Sequence, residues 1–482
     1  MNIKIVLKMI SLLLLIIAGF MIVPAGIAAY CQETASLYSF LYTIAGTLTI
    51  SVFFLFLFRK VKSNKLSTRD GFLFVTGSWV FASVAGSLPF YLSDCIPSFT
   101  NAFFETISGF STTGASILTV TDAIPRSMLF WRSLTHWLGG MGIVVLAVAI
   151  LPLLGIGGMQ LIKAEAPGPT IDKLTPRITE TAKLLWYIYT GLTVIETLLL
   201  MGGGMGLYDA LTHTFGTLAT GGFSTKNASV GHFNSAYIDY VITFFMVIAG
   251  VNFILHFNLI TGRYKSLFKD TEFKAYLLIF FFSTMLVTIN LNGHVYDSFE
   301  KSFRYASFQC ATILTTTGFA TTDYEKWPYF SQMILFILMF VGGCSGSTGG
   351  GIKVIRIVTL FKQALNEMNL LLHPRGVFTL RIRKAAVRKN IVYAISGFFF
   401  LYIVLLLIVT SVVAFSGHDL LTAFTASLAT VGNIGPGFGR VGPTENYAFF
   451  EDYVKWVLSF GMLTGRLELY TVLVLFTPRF WR

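Results

Sequence analysis

Four short stretches of the 482-residue chain place a hydroxyl residue and a glycine at one spacing: Phe110-Ser111-Thr112-Thr113-Gly114, Leu218-Ala219-Thr220-Gly221-Gly222, Leu314-Thr315-Thr316-Thr317-Gly318 and Leu428-Ala429-Thr430-Val431-Gly432. Each runs large apolar residue, small residue, Thr, variable residue, Gly, and the closing glycines are 108, 96 and 114 residues apart. One Thr-x-Gly is commonplace in loops, but four at near-equal spacing indicate a repeated unit. Glycine allows backbone angles closed to other residues, so successive carbonyls can point one way. Thr adds a neutral hydroxyl oxygen. Four such loops around one axis would make rings of oxygens able to replace the hydration shell of a monovalent cation. No motif contains a carboxylate, so a multivalent cation is less favoured than a weakly hydrated ion such as K⁺. The candidate ion ligands are Thr112, Thr113, Gly114, Thr220, Gly221, Gly222, Thr316, Thr317, Gly318, Thr430, Val431 and Gly432, with Asn433 beside the last.

A non-helical loop at membrane depth must line a water- or ion-filled cavity, so helices have to hold it there. Each motif follows about ten partly apolar residues (101–110, 208–218, 303–313, 418–428), too few to span a bilayer and suited to a re-entrant helix. Longer apolar segments flank them. Ten spans are predicted, at about 9–30, 37–58, 71–92, 127–152, 184–206, 237–260, 275–295, 329–352, 391–415 and 449–475. The expected fold is an all-α integral membrane protein. Two N-terminal helices (1–68) precede four helix–pore helix–loop–helix units around one pore, at 69–152, 153–260, 261–390 and 391–482. Composition agrees: 54% of residues are hydrophobic and 12% charged, which excludes a soluble globular or a disordered chain. The first apolar run is longer than that of a signal peptide and is read as a retained helix. With the N-terminus inside, 26 of the 35 Lys and Arg residues fall in internal segments and six in external ones, which places both termini in the cytoplasm. The net charge of +12 is then topology, and nucleic acid is not an expected partner.

The eighth span is interrupted. Gly342 to Gly351 contains six glycines together with Ser345, Ser347 and Thr348. Glycine costs up to about 1 kcal/mol in a helix interior, so this stretch should unwind. It is either a flexible link to the basic segment that begins at Lys353, or an intramembrane loop across the pore. Arg466 lies deep in the tenth span, where an Arg costs at least ~2.5 kcal/mol. It is read as sitting under the filter, touching the glycine loop and repelling cations in a closed state; the alternative is a structural Arg bound to backbone carbonyls. The stretch from Gly346 resembles a phosphate-binding loop, but Ile352 stands where its Lys should be, so no nucleotide site is expected. No CxxC pair or HExxH spacing suggests a metal centre.

These residues resemble the Trk/Ktr/HKT superfamily of cation transporters, and specifically its TrkH/TrkG branch of bacterial potassium uptake proteins. Besides the four loops, the similar stretches are Gly139-Gly140-Met141-Gly142, Gly157-Gly158-Met159-Gln160 with Pro167-Gly168-Pro169, Gly342 to Gly351, and Gly465-Arg466-Leu467-Glu468. The resemblance implies four pseudo-symmetric units, each like one K⁺-channel subunit, in a protomer that forms homodimers in the bacterial inner membrane. It implies a cytoplasmic nucleotide-binding regulatory subunit, so ATP or NAD would act only through that partner, and the chain itself would carry no cofactor besides the transported K⁺. It favours the gate reading of Gly346, Ser347, Thr348, Gly349, Gly350, Gly351, Lys353 and Arg466. Glycine in each loop goes with K⁺ selectivity in this family, whereas Ser in the first loop goes with Na⁺ transport in some plant relatives; here that residue is Gly114.

The longer Thr-Val-Gly-Tyr-Gly run of K⁺ channels is absent, which predicts fewer ion sites, Rb⁺ permeation and weaker exclusion of Na⁺. An intramembrane enzyme is excluded for want of a nucleophile–base or metal constellation. The other reading is a coupled K⁺/H⁺ symporter, which usually pairs broken helices around a midplane site. A single broken helix and fourfold repeats are expected here, which favours a gated pore.

Overall fold

The computed structural model describes residues 1–61, 67–142, 178–382 and 385–482; the stretches 157–160 and 167–169 lie outside the described residues. Among the described residues the fold is all-α apart from one small antiparallel ribbon, β1 (Arg381–Ile382) with β2 (Ala385–Ala386). It opens with a hairpin of α1 (Ile3–Tyr30) and α2 (Thr34–Leu57). Helix α2 inverts the usual pattern: Ser36, Ser39, Thr43, Thr47 and Ser51 are buried, while Phe53, Phe56 and Leu57 are exposed. Small residues let helices approach closely when hydrocarbon is the solvent.

Four groups of helices follow. The first is α3 (Thr68–Leu92), the short α4 (Phe99–Phe110) and α5 (Arg126–Gly140). The second is α6 (Ile178–Gly202), the short α7 (Leu207–Ala219), α8 (Ala236–Ala249) and α9 (Phe253–Ile260). After α10 (Lys265–Lys269) comes the third: α11 (Thr271–Leu291), the short α12 (Phe299–Leu314), α13 (Tyr329–Leu338) and α14 (Val354–Leu372). The fourth is α15 (Lys389–Phe415), the short α16 (Leu420–Val431), α17 (Asp452–Arg466) and the terminal α18 (Tyr470–Leu473) and α19 (Pro478–Trp481).

The helix starts are written locally. Ser67 and Asp70 form a capping box on α3, and Asp70 also accepts from the backbone N of Asn2 at 2.7 Å, fastening the N-terminus there. Asp419 caps α16 through the N–H of Thr422 at 2.9 Å. The cap of α5 comes from the hairpin: Glu33 accepts from the backbone N of Arg126 (2.8 Å) and of Ser127 (3.1 Å), placing a carboxylate at the positive end of the helix.

The groups close into a ring. The second helix of each packs on the short helix of the next: α5 on α7, α8 on α12, α13 on α16 through Phe336 and Phe340 against Phe424, and α17 back on α4. Among the described residues six helices are long and apolar enough to cross a membrane, and two bent pairs would make eight. Of the predicted spans, 237–260 and 449–475 are bent and 329–352 is interrupted, while 143–152 of the span 127–152 lies outside the described residues. The expectation of a single broken helix is corrected. The α13 run ends at Leu338, just ahead of the break expected from Gly342, but α8 and α9 also meet at 101°, and α17 meets the following turn, Tyr470–Phe476, at 113°. The first bend is built by Gly250 ending α8 and the Asn252 side chain accepting from Ile254 N (2.8 Å) to start α9. The second is built by Glu468 and Leu469, both left-handed at φ 57° and 47°.

Candidate functional site

The C-termini of the four short helices make one turn four times. A residue in the left-handed region is followed, two positions on, by a left-handed glycine: Thr112 (φ 54°) and Gly114 (82°), Thr220 (55°) and Gly222 (78°), Thr316 (58°) and Gly318 (84°), Asn433 (54°) and Gly435 (94°). The hydrogen bonds repeat as well. Thr113 N reaches Ser108 O, Gly221 N reaches Gly216 O, Thr317 N reaches Thr312 O and Ile434 N reaches Ala429 O, all at 2.8 to 2.9 Å. This is the six-to-one bond of a Schellman helix end, with Thr or Asn where Gly is usual. A β-branched residue at positive φ is a genuine outlier, costing of order 1–3 kcal/mol, and tends to mark functional positions.

The fourth loop therefore lies three residues further along than the sequence motif indicates. Thr430 and Val431 are helical residues of α16, and Gly432 is its right-handed cap at φ −79°. The structural counterparts of the other loops are Asn433, Ile434 and Gly435. The motif was misread because Thr430-Val431-Gly432 imitates the pattern inside the helix, while the true left-handed position holds Asn, which tolerates that conformation better than Thr. Aligning on the left-handed pair instead would have found it.

The loops interlock in sequence order. A Cβ built on Gly114 would lie 2.2 Å from the carbonyl O of Gly221; on Gly222, 2.0 Å from Thr317 O; on Gly318, 2.3 Å from Ile434 O; and on Gly435, 2.6 Å from Thr113 O. Each of these glycines thus lies against the carbonyl of the middle residue of the next loop, and the fourth closes on the first. Only glycine fits at any of the four. All four glycines also line one cavity of about 160 Å³, with Ser116, Asn227 and Glu445 among its walls.

Behind this fourfold backbone the side chains are only twofold. Hydroxyls pair at 2.7 Å in the first loop (Ser111 and Thr113) and in the third (Thr315 and Thr317). The second and fourth loops have Ala219 and Gly221, and Gly432 and Ile434, at those places. Asn433 is fully buried and ties the ring together, its Nδ2 donating to Thr113 Oγ1 and to Met462 O, both at 2.9 Å.

The glycine-rich stretch lies on one side of this ring. Gly350 N donates to Thr316 Oγ1 at 2.7 Å, and a Cβ on Gly350 would stand 2.6 Å from Gly432 O and 2.8 Å from Asn433 Cβ. The stretch is also stitched to the bend in the second group: Cys344 N donates to Gly250 O (2.8 Å), Phe253 N to Gly346 O (3.0 Å) and Thr348 Oγ1 to Ala249 O (3.2 Å). Arg466 closes the far side. Its Nη1 donates to Thr348 O (2.7 Å) and its Nη2 to Gly139 O (2.6 Å) and Gly140 O (3.0 Å). Both sequence readings of Arg466 meet here, since it touches the loop and does so through carbonyls. Lys353 Nζ donates back to Gly349 O.

Sequence reasoning missed Glu272 and the pairing of Arg356 with Glu468 in this layer. Glu272 of α11 is 3% exposed and accepts from Ser345 N (2.7 Å) and Ile355 N (3.1 Å), so one carboxylate grips both feet of the glycine-rich strap, Gly346–Gly351. Arg356, just after the strap, pairs with Glu468 at the bend after α17. These contacts join residues 73 to 112 positions apart, beyond the reach of local spacing.

Comparison with known proteins bears on this geometry. Residues 38–482 match the family model TrkH, described as a cation transport protein. The chain is 42% identical over 486 residues to the Trk system potassium uptake protein TrkH of Escherichia coli K12, covering all of both chains. It is 35% identical to TrkI of Halomonas elongata, over 99% of this chain and 96% of that protein. The crystal structure of the potassium transporter TrkH from Vibrio parahaemolyticus superposes with a TM-score of 0.90 at 40% identity, covering both chains completely.

Proposed function

The chain belongs to the TrkH family of cation transport proteins, a multi-pass membrane transporter and not an enzyme, and from that premise we propose that it takes up potassium through a gated central pore. One observation carries the reading: four glycines each pressed against the next loop's carbonyl, closing a ring of Thr113, Gly221, Thr317 and Ile434. Neutral carbonyls at one level replace the hydration of a monovalent cation. The short helices end at this ring, and their C-terminal dipoles add negative potential there. K⁺ and Rb⁺ are the proposed permeant ions, with Na⁺ excluded less strictly than by a K⁺ channel. Ion coordination falls to the residues of the turns, with Asn433, Ile434 and Gly435 in the fourth.

The strap Gly346–Gly351 and Arg466 are the proposed gate. The strap bonds directly to Thr316 and packs against Asn433, so an ion leaving the ring meets it. Arg466 adds a positive charge to the same layer. The protein is proposed to work as a homodimer in the bacterial inner membrane, both termini cytoplasmic as the distribution of basic residues supports. A cytoplasmic nucleotide-binding subunit of the Trk type is proposed to move the strap, so that ATP or NAD acts only through that partner.

The paired bends at 101° and 113° remove the single-break argument against K⁺/H⁺ symport. The test is therefore the reversal potential of purified protein in liposomes across a K⁺ gradient at several pH values. The pore reading expects a Nernstian potential unmoved by pH. A reversal potential that shifts with the proton gradient would replace it with symport.

A further inference from the structure

The residue seven positions before each left-handed filter residue occupies the same turn of its short helix: Glu105, His213, Gln309 and Ala426. Three of these reach the outer limb of their own loop. Glu105 accepts from Ile117 N (2.8 Å) and Ser116 Oγ (2.9 Å), His213 Nε2 meets Ser224 Oγ (2.9 Å), and Gln309 Nε2 donates to Thr322 O (3.3 Å). Ala426 reaches nothing, and the neighbouring Thr425 takes over, its Oγ1 donating to Phe438 O (2.8 Å) and accepting from Phe438 N (3.1 Å). Bracing the outer limb is thus a common task, and neutral chemistry suffices for it in the third and fourth groups.

The first group differs. Arg132 of α5 donates from Nε to Glu105 at 2.6 Å, and both are buried, at 4% and 1% exposure. The same guanidinium donates from Nη1 to Ser224 O at 3.0 Å and lies 3.5 Å over the Phe223 ring. Phe223 and Ser224 directly follow the filter glycine of the second loop. One ion pair therefore spans two loops, holding the outer limb of the first at its carboxylate end and that of the second at its guanidinium end. Arg132 also reaches the wall of the cavity that the filter glycines line, so Glu105 balances a positive charge beside the ion path. A buried ion pair is weak evidence for stability, and neutral braces hold the third and fourth loops. Its two-loop reach points instead to the spacing of the ring.

We propose that Glu105 and Arg132 are a positioning pair for cation selectivity, fixing the separation of the first and second loops and neutralising the mouth. The proposal rests on the filter reading above. It is tested with the full-length protein in liposomes, measuring the Na⁺-to-K⁺ permeability ratio from bi-ionic reversal potentials. Glu105→Gln keeps an acceptor oxygen and size but removes the charge. Arg132→Lys keeps the charge but loses the fork that reaches Ser224. Both are expected to raise the ratio, Glu105→Gln by roughly tenfold, the change that about 1.4 kcal/mol of lost discrimination produces, with K⁺ flux retained. A brace that serves folding alone would lower the amount of active protein and leave the ratio untouched. An unchanged ratio in variants that conduct K⁺ overturns the proposal. Should Glu105→Gln fail to assemble, Arg132→Lys decides by the same ratio. Failure of the filter reading has a separate signature: wild-type protein that does not discriminate K⁺ from Na⁺ at all.

Discussion

The ring of carbonyls and the layer that adjoins it are built on opposite rules. In the ring, four loops repeat one backbone: the left-handed residues agree within 4°, at 54° to 58°, and the glycines follow at 78° to 94°. In the next layer, the four second helices each end in a different way. One stops at Gly140, one bends at Gly250–Asn252, one gives way to a glycine strap, and one turns on two left-handed non-glycine residues. An ion coordinated by several equivalent oxygens favours symmetry, because each must sit at the same distance. A gate favours asymmetry, because one movable element must be held by fixed neighbours. The strap is the element proposed for that role, and α8, α11 and α17 each supply it a different hold.

The comparison breaks most severely at a filter glycine. Gly222→Ala combines a positive φ with a Cβ 2.0 Å from Thr317 O. Potassium flux in liposomes should fall by more than about tenfold, since strain of a few kcal/mol must be relieved by moving the neighbouring loop. Gly191, on an exposed stretch of α6 with open space around it, should accept Ala without loss of flux.

Arg466→Ala tests the other layer with the opposite sign. It removes hydrogen bonds to three carbonyls that join the strap to the end of α5. Flux without any regulatory partner should rise, by about tenfold if one charged hydrogen bond's worth of closing energy is lost. Unchanged or lower flux in well-folded protein would leave Arg466 a purely structural group. Glu272→Ala should give a smaller increase, about threefold, because the strap keeps its bonds to Gly250 and Thr316 while losing its feet. Glu272→Gln, which keeps an acceptor oxygen, should restore most of the wild-type closure.

How far the sequence discloses each region follows the same division. Three of the four left-handed turns were legible because Thr-x-Gly names the left-handed pair directly. The fourth was displaced by three residues, since Asn433 fills the strained position and a decoy Thr430-Val431-Gly432 sits inside the helix. The strap was legible from its glycines. The bends after α8 and α17 were not: Leu469 is left-handed for tertiary reasons, with Glu468 drawn to Arg356, and no local propensity announces it. The link from Glu105 through Arg132 to the second loop required the fold.

The smallest expected effect lies at the edge of both regions. Asp419, at the exposed start of α16, has its carboxyl held below the ordinary carboxylate range by the side-chain and backbone hydrogen bonds of Thr422. A lowered carboxyl stabilises the fold above its unfolded pKa and loses that contribution as pH falls through its folded value. Asp419→Ala should cost about 1 kcal/mol of stability at pH 7. The melting difference from wild type should shrink as pH drops below about 4.

The central claim is that one ring of backbone carbonyls carries the ion. It is tested most directly by anomalous diffraction from crystals of transport-competent protein soaked in Rb⁺. The account predicts density on the axis, among the carbonyl oxygens of Thr113, Gly221, Thr317 and Ile434. Density confined to a site off that axis, such as the buried carboxyl of Glu196 in α6, would contradict it.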